Sequence, residues 1–472
     1  MYVLTDAGEW AEETFGGCAL GDTRRTARAV KVATGLARQV GSSLLKSCEG
    51  DSAAVEGIYR LLRNDAVDPQ ALAEGGFQGT VRRAQSCAVL LAIEDTTYLS
   101  YRHGSVDDLG EICTKTSARS KGFVVHSTVL LDGQSGQTVG LVEQSRWKRE
   151  AESHGKKHQR KKRPYEEKES FKWQRAGVAM RSRLGEELGR RVISVCDREA
   201  DIAEYLAWQQ AVGGRYVVRA CADRRVEEST QGLWAQLEAQ PVLGTHEITV
   251  AQRGGRPARD ATVVLRACEV KLQLPRGVQN VTCNAVLVRE VQPPKGVEAL
   301  EWLLLTTESI DSRADTLDVL WIYARRWRIE DFHKAWKSGT CVEALRARCA
   351  DNLERGAVML MFVAIRLLQL QELACAPLPR PSMPTATLPE VPCNQVLSEI
   401  EWKVLYATTS RKPPPLEPPS AKWAYRTIAK LGGWADTQRS GRPGWEAIWR
   451  GMFRLAERVE GCLLATKMMH KI

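Results

Sequence analysis

Two aspartates each follow a run of apolar residues: Asp95 in AIEDTT, after Ala88 to Ile93, and Asp197 in SVCDREAD, after Arg191 to Cys196. An unbroken apolar run of that length reads as a strand buried on both faces, and open α/β sheets bind ligands beyond the carboxyl ends of their strands. One aspartate there is ordinarily a turn residue or a helix cap, but two on strands of one sheet point to a shared metal site. A third carboxylate lies in IYARRWRIEDFHKAWKSG, where Tyr323, Arg326, Glu330 and Lys337 are spaced by 3, 4 and 7 residues. At about 100° per residue these four fall within about a 60° arc of one helix. Alone, such a helix is a solvated face with an Arg326 to Glu330 ion pair. Beside two strand-end aspartates, its carboxylate stands among groups that bind phosphate. Three carboxylates suit a pair of Mg²⁺ ions about 3.5–4 Å apart, which activate water or a 3′-hydroxyl and stabilise the leaving oxygen of a phosphoryl transfer. Mn²⁺ fits the same oxygens. No G-x-x-x-x-G-K-[ST] loop occurs, so the chemistry is expected not to consume ATP.

The elements that must position these residues read as α/β. The order from Cys87 to Ala220 is β-β-β-α-β-α-β, with strands at Ala88–Ile93, Phe123–Leu131, Thr138–Val142, Arg191–Cys196 and Arg215–Ala220, and helices over Glu166–Leu188 and Glu199–Val212. From about Arg225 to Thr306 the chain is rich in strands and turns, as an inserted antiparallel unit would be. A helix over Asp315–Ser338, stopped by Gly339, carries the four spaced residues, and an amphipathic helix over Asn352–Leu373 follows. Ahead of the core, Asp22 caps a helix closed by Gly41, Ser52 opens a second, and Asp68-Pro69 starts a third. After it, Ala376 to Pro419 is proline-rich and Trp423 to Ile472 is helical and Trp-rich. The expected domains are a helical DNA-contacting module over 1–70, an α/β core over 71–374 with the β-rich insertion at about 222–306, and a proline-rich linker with a helical packing or dimerisation module over 375–472.

The 472 residues allow about three domains at ~150 residues each. With 43% hydrophobic and 26% charged residues, a largely disordered or collagen-like chain is excluded. No stretch of about 18 apolar residues and no leader-like start occurs, and the 13 cysteines are scattered without a C-x-x-C pair. A cytoplasmic protein with reduced thiols is expected. The formal charge of +10 is the electrostatic footprint of a protein that meets phosphate. It is concentrated between Arg146 and Arg163, where nine basic residues face two acidic ones, a block too dense in one sign to be packed. Arg24, Arg25 and Arg28, with Lys31 and Arg38, decorate the first capped helix, and Arg60 and Arg63 the second, as expected of a DNA-contacting module.

LLAIEDTTYLSYRH, VCDREAD and the Tyr-Arg-Glu-Lys helix together resemble the bacterial DDE transposases of the insertion-sequence-four family, Tn-five type; LGDTRRTAR and AKWAYRTIAKLGGW extend the likeness over nearly the whole chain. The resemblance implies an RNase H-like mixed-sheet core with a β-rich insertion, flanked by N-terminal and C-terminal helical modules; it makes the module over 1–70 DNA-end-binding and the core over 71–374 catalytic. It implies that Asp95, Asp197 and Glu330 are the catalytic metal ligands, with Mg²⁺ as cofactor. Tyr323, Arg326 and Lys337 would bind the transposon end and its hairpin intermediate, and Trp302, in EWLLLT, would match the aromatic that stacks on a flipped base. It further implies cut-and-paste transposition by a homodimer that brings together double-stranded transposon ends and target DNA in a bacterial cytoplasm, near the nucleoid. The basic block looks longer and more cationic than in the Tn-five type. A metal-dependent nuclease on the same core explains the carboxylates but not the Tyr323, Arg326, Lys337 face. A non-catalytic DNA-binding regulator would be marked by loss of a carboxylate, and none is lost.

Overall fold

The computed structural model describes residues 6–39, 48, 51–101, 106, 108–114, 117–149, 163–227, 229, 231–250, 259–374, 380–382, 391–410, 412–437, 440 and 443–469. Four helices come first: α1 (Ala7–Phe15), α2 (Thr23–Arg38), α3 (Ser52–Leu62) and α4 (Pro69–Ala84). Each starts at an aspartate whose side chain takes the free N–H groups of the first turn. Asp6 accepts from Gly8 and Glu9, Asp22 from Arg24, and Asp51 from Ala53 and Ala54. Asp68 accepts from Ala71 and is followed by Pro69 at the first helical position. The cap of α3 is thus Asp51 rather than Ser52; Gly41, expected to close α2, lies outside the described residues.

The strands are β1 (Leu90–Tyr101), β2 (Gly110–Thr114), β3 (Ser117–Asp132), β4 (Thr138–Trp147), β5 (Val192–Cys196), β6 (Arg215–Arg219), β7 (Gly244–Val250), β8 (Arg259–Leu272), β9 (Val281–Glu290) and β10 (Glu301–Thr306). Among the described residues they form one mixed sheet in the order β2-β3-β1-β5-β6-β10-β9-β8-β7, with β4 on β3. β1, β5 and β6 run parallel, and the other pairings are antiparallel. Two expectations change. β1 does not end at Glu94-Asp95 but continues to Tyr101, because the long β3 supplies hydrogen-bonding partners from Asp132 back to Lys121. The β-rich segment joins the same sheet, since β10 pairs with β6 on one side and β9 on the other.

One face of the sheet carries α8 (Arg313–Ala324), α9 (Trp327–Lys334) and α10 (Ala350–Ala374); the other carries α5 (Lys172–Gly189), α6 (Ala203–Ala211) and α7 (Leu233–Glu238). α5 begins later than expected, after single turns at Tyr165–Glu167 and Glu169–Phe171. The helix expected over Asp315–Ser338 is interrupted: Arg325 caps α8, α9 starts after Arg326, and Ala335–Gly339 form a wider π turn closed by the Thr340 N–H on the Ala335 carbonyl. α10 is buried nearly all round rather than amphipathic. Although residues 350–373 are long and apolar enough to cross a membrane, which the sequence was expected to lack, most of them lie inside the molecule.

The N-terminal helices share their apolar core with α10: Phe15 and Phe77 both meet the Phe362 ring edge-on. α4 approaches so closely at Gly76 that a Cβ there would stand 2.3 Å from that ring. Two buried arginines of α10 reach the ends of the outer helices. Arg355 donates to the Leu62 and Val67 carbonyls at 2.9 and 2.7 Å, and Arg366 donates to the Ala37 carbonyl at 3.4 Å. Their fixed fork satisfies the Leu62 and Ala37 carbonyls, which helix ends leave bare, and Arg355 also takes the Val67 carbonyl in the turn before α4. α11 (Glu399–Ser410), α12 (Ala421–Leu431) and α13 (Trp445–Met469) build a separate small core around Trp402, Leu405, Ile428 and Leu455.

Candidate active site

The parallel register that pairs Ile93 with Val195, carried two residues further, sets Asp95 level with Asp197. Asp197 directly follows β5 and accepts the Glu199 N–H at 2.8 Å, capping the turn Arg198–Ala200. Asp95 Oδ1 accepts the N–H of Thr96 at 2.7 Å. α9 lies against β1 and brings in Glu330, and Arg326 lies between: its guanidinium stands 3.8 Å from Asp95 and 3.1 Å from Glu330. Burial pushes the Asp95 carboxyl up to about 6; Asp197 and Glu330 add to the rise, while the Thr96 N–H and Arg326 oppose it. Asp95 is therefore near enough to both other carboxylates to be repelled by them.

Such a set has the hard oxygen donors that a divalent cation takes, and the repulsion felt by Asp95 is what such a cation relieves. The donors fit in kind, but among the described residues no three Asp, Glu, His or Cys side chains stand as a ready ligand cluster. The Arg326 guanidinium holds the position between two of them.

The other expected residues are more dispersed. Tyr323, on α8, is buried, with its phenol pushed up by burial and the nearby Asp197 and drawn back by Arg326 and by a hydrogen bond from Arg219. Trp302, on β10, is half-buried and meets the Tyr323 ring edge-on at 5.1 Å. Lys337 sits in the π turn rather than on one continuous helix, so the arc computed from regular spacing does not hold there. Burial lowers its ammonium, an effect opposed by Glu343, whose carboxylate also takes the Ser100 N–H at 2.7 Å. Among the described residues, no hydrogen bond or ion pair joins Lys337 to the three carboxylates.

In the N-terminal helices, Arg24 is exposed and paired with Asp22 at 2.9 Å. Arg25 turns inward and donates to the Leu20 and Ala66 carbonyls, and Arg28 lies against Gly57. The N-terminal end of the basic block is packed, contrary to expectation: the Arg146 side chain is buried against Glu354 at 2.8 Å, and Arg149 pairs with Glu169 at 2.6 Å, whereas Arg163 at the other end is exposed. β4 runs on through Trp147 and draws these side chains onto the body. Residues 150–162, with Lys156, Lys157, Arg160, Lys161 and Lys162, lie outside the described residues.

Sequence reasoning missed Arg219 and a buried polar group on the far face of β1. There Glu94, pushed up to about 8 by burial and the nearby Glu143, meets His126, whose imidazole burial keeps neutral. The signals were a carboxylate directly before Asp95 inside an apolar strand and a lone histidine in FVVHSTVLL.

A mixed sheet with acidic groups gathered just past the end of the parallel β1–β5 pairing, beside an arginine, suits phosphoryl transfer. Residues 7–67 match the family described as Transposase DNA-binding, and residues 175–366 match the family described as Transposase DDE domain. The chain is a DDE-type transposase, with an RNase H-like DDE domain and DNA as its partner. Domains of this kind generally use divalent metal ions. The DDE match contains Asp197 and Glu330 and begins after Asp95.

Proposed function

We propose that this protein is a cut-and-paste transposase of the insertion-sequence-four type, which binds transposon ends, cleaves them through a hairpin intermediate and transfers the 3′ ends to target DNA. The observation that carries the reading is the approach of both Asp197 and Glu330 to Asp95, with Arg326 between Asp95 and Glu330. These carboxylates would hold Mg²⁺, with Mn²⁺ as a substitute. The bound metal would supply activation of the attacking oxygen and stabilisation of the leaving one. Arg326 exchanges its carboxylate partners for a DNA phosphate, which suits the geometry of its fork. Tyr323, held by Arg219, and Lys337 contact the same end, and Trp302 stacks on an extruded base, an interaction worth about 1–3 kcal/mol per base. Arg24 and Arg28, with Arg25 in a supporting role, bind backbone from the N-terminal helices. Two copies acting together on paired ends, in the bacterial cytoplasm near the nucleoid, complete the reading.

The test is incubation of the protein with duplexes carrying the sequences that flank its own gene, with and without Mg²⁺. Hairpin-ended and strand-transfer products are expected from the native protein, and neither from Asp95→Ala or Glu330→Ala. Simple hydrolysed ends on any duplex would replace this reading with a nuclease, and binding without cleavage would replace it with a regulator.

A further inference from the structure

His126 is fully buried in β3, its ring edge-on to the Trp173 indole at 4.7 Å. An imidazole in such a place costs free energy unless its nitrogens are satisfied, and a valine or leucine would continue the apolar strand around it without that cost. What distinguishes the histidine is what it holds. The β1–β3 register sets Thr96 directly opposite His126. Nδ1 lies 3.0 Å from the Thr96 hydroxyl, and Nε2 lies 3.4 Å from the Glu94 carboxyl. Because side chains alternate along a strand, Glu94 and Thr96 share one face of β1 and Asp95, between them, leaves from the other. The Thr96 main-chain N–H in turn donates to Asp95 Oδ1.

We propose that His126 is a positioning residue for Asp95, gripping β1 on both sides of that carboxylate and acting through Thr96 to fix where the carboxylate points. The inference rests on the reading of Asp95 as a metal ligand. A carboxylate shared by a metal must be held closely to one geometry, and the groups that orient such ligands cost about 10–100-fold in metal affinity or activity when lost. The grip comes from behind the sheet, so no group of the device touches DNA or the reacting phosphate.

The experiment measures Mn²⁺ binding by electron paramagnetic resonance on the full-length protein bound to an end duplex, alongside duplex affinity and thermal midpoint. Thr96→Val removes the hydroxyl with little change of shape. It is expected to weaken Mn²⁺ binding at least about tenfold while duplex affinity stays at the native level. Thr96→Ser, which keeps the hydroxyl, is expected to restore it. His126→Leu should reproduce the Thr96→Val loss; if that protein does not fold, the threonine pair decides. Native-level Mn²⁺ binding by Thr96→Val overturns the inference. So does a loss that Thr96→Ser does not restore, or one matched by an equal loss of duplex affinity. Unchanged Mn²⁺ binding by Asp95→Asn instead overturns the underlying reading of Asp95, and a failure of that kind is separate from one confined to the threonine variants.

Discussion

A carboxyl pushed up to about 6 competes for protons in the range where DNA cleavage is ordinarily measured, and Asp95 is such a group. Protonation removes a metal-binding oxygen charge, so the metal concentration for half-maximal cleavage should rise as pH falls through about 6. Added metal should push the inflection lower, and pH-rate curves at several Mg²⁺ concentrations check this. The sign for stability is separate. Folding raises this carboxyl above its unfolded value of about 3.9, so the penalty of keeping it ionised is absent well below that value and fully present above about 6. Asp95→Asn should accordingly stabilise the protein at pH 8, by about 1–3 kcal/mol, and leave it unchanged near pH 3; denaturant unfolding at the two pH values measures both. The two aspartates stood out in the sequence only as a pair, because one carboxylate after an apolar run is ordinarily a turn residue or a cap. The direction of each guanidinium was not. Spacing places Arg24, Arg25 and Arg28 on one helix, but only the fold shows Arg25 turned onto main-chain carbonyls. Nor does a histidine in an apolar strand disclose which neighbours satisfy it.

At the scale of elements, the apolar runs mark the buried stretch of a strand better than its ends. Ala88 to Ile93 marks the part of β1 paired with β5, yet the strand runs to Tyr101 because its extension depends on β3, a partner distant in sequence. β8 runs unbroken over Arg259–Leu272, its pairing with β9 bridging the polar Arg266 and Glu269 between its two apolar stretches. The interruption between α8 and α9 was hidden for the opposite reason: no glycine or proline marks it, and Tyr323 to Glu330 remain good helix formers throughout. The contact between α4 and α10 permits a sharper expectation. Gly76→Ala would drive a methyl into the Phe362 ring, and overpacking of this kind costs about 1–3 kcal/mol. A lowered denaturation midpoint should result, and Gly76→Ala combined with Phe362→Leu should recover part of it. An unchanged midpoint for the single variant would mean that the two helices separate freely.

At the scale of the whole molecule, the N-terminal helices are not a module on a tether. Arg355 and Arg366 reach from the central helix to the ends of α3 and α2, and the phenylalanines beneath them belong to one continuous core. The three C-terminal helices, by contrast, gather around apolar residues of their own. If the proposed function holds, this packing makes the protein a caliper whose jaws, the N-terminal helices and the carboxylates, are set at a constant gap. DNA would then be cut at a measured number of base pairs from where it is gripped, whatever bases lie between. Inserting base pairs into that interval should leave the cut at the same count from the gripped segment, and Arg355→Met should spread the cuts over neighbouring positions; product lengths read at single-nucleotide resolution would register both.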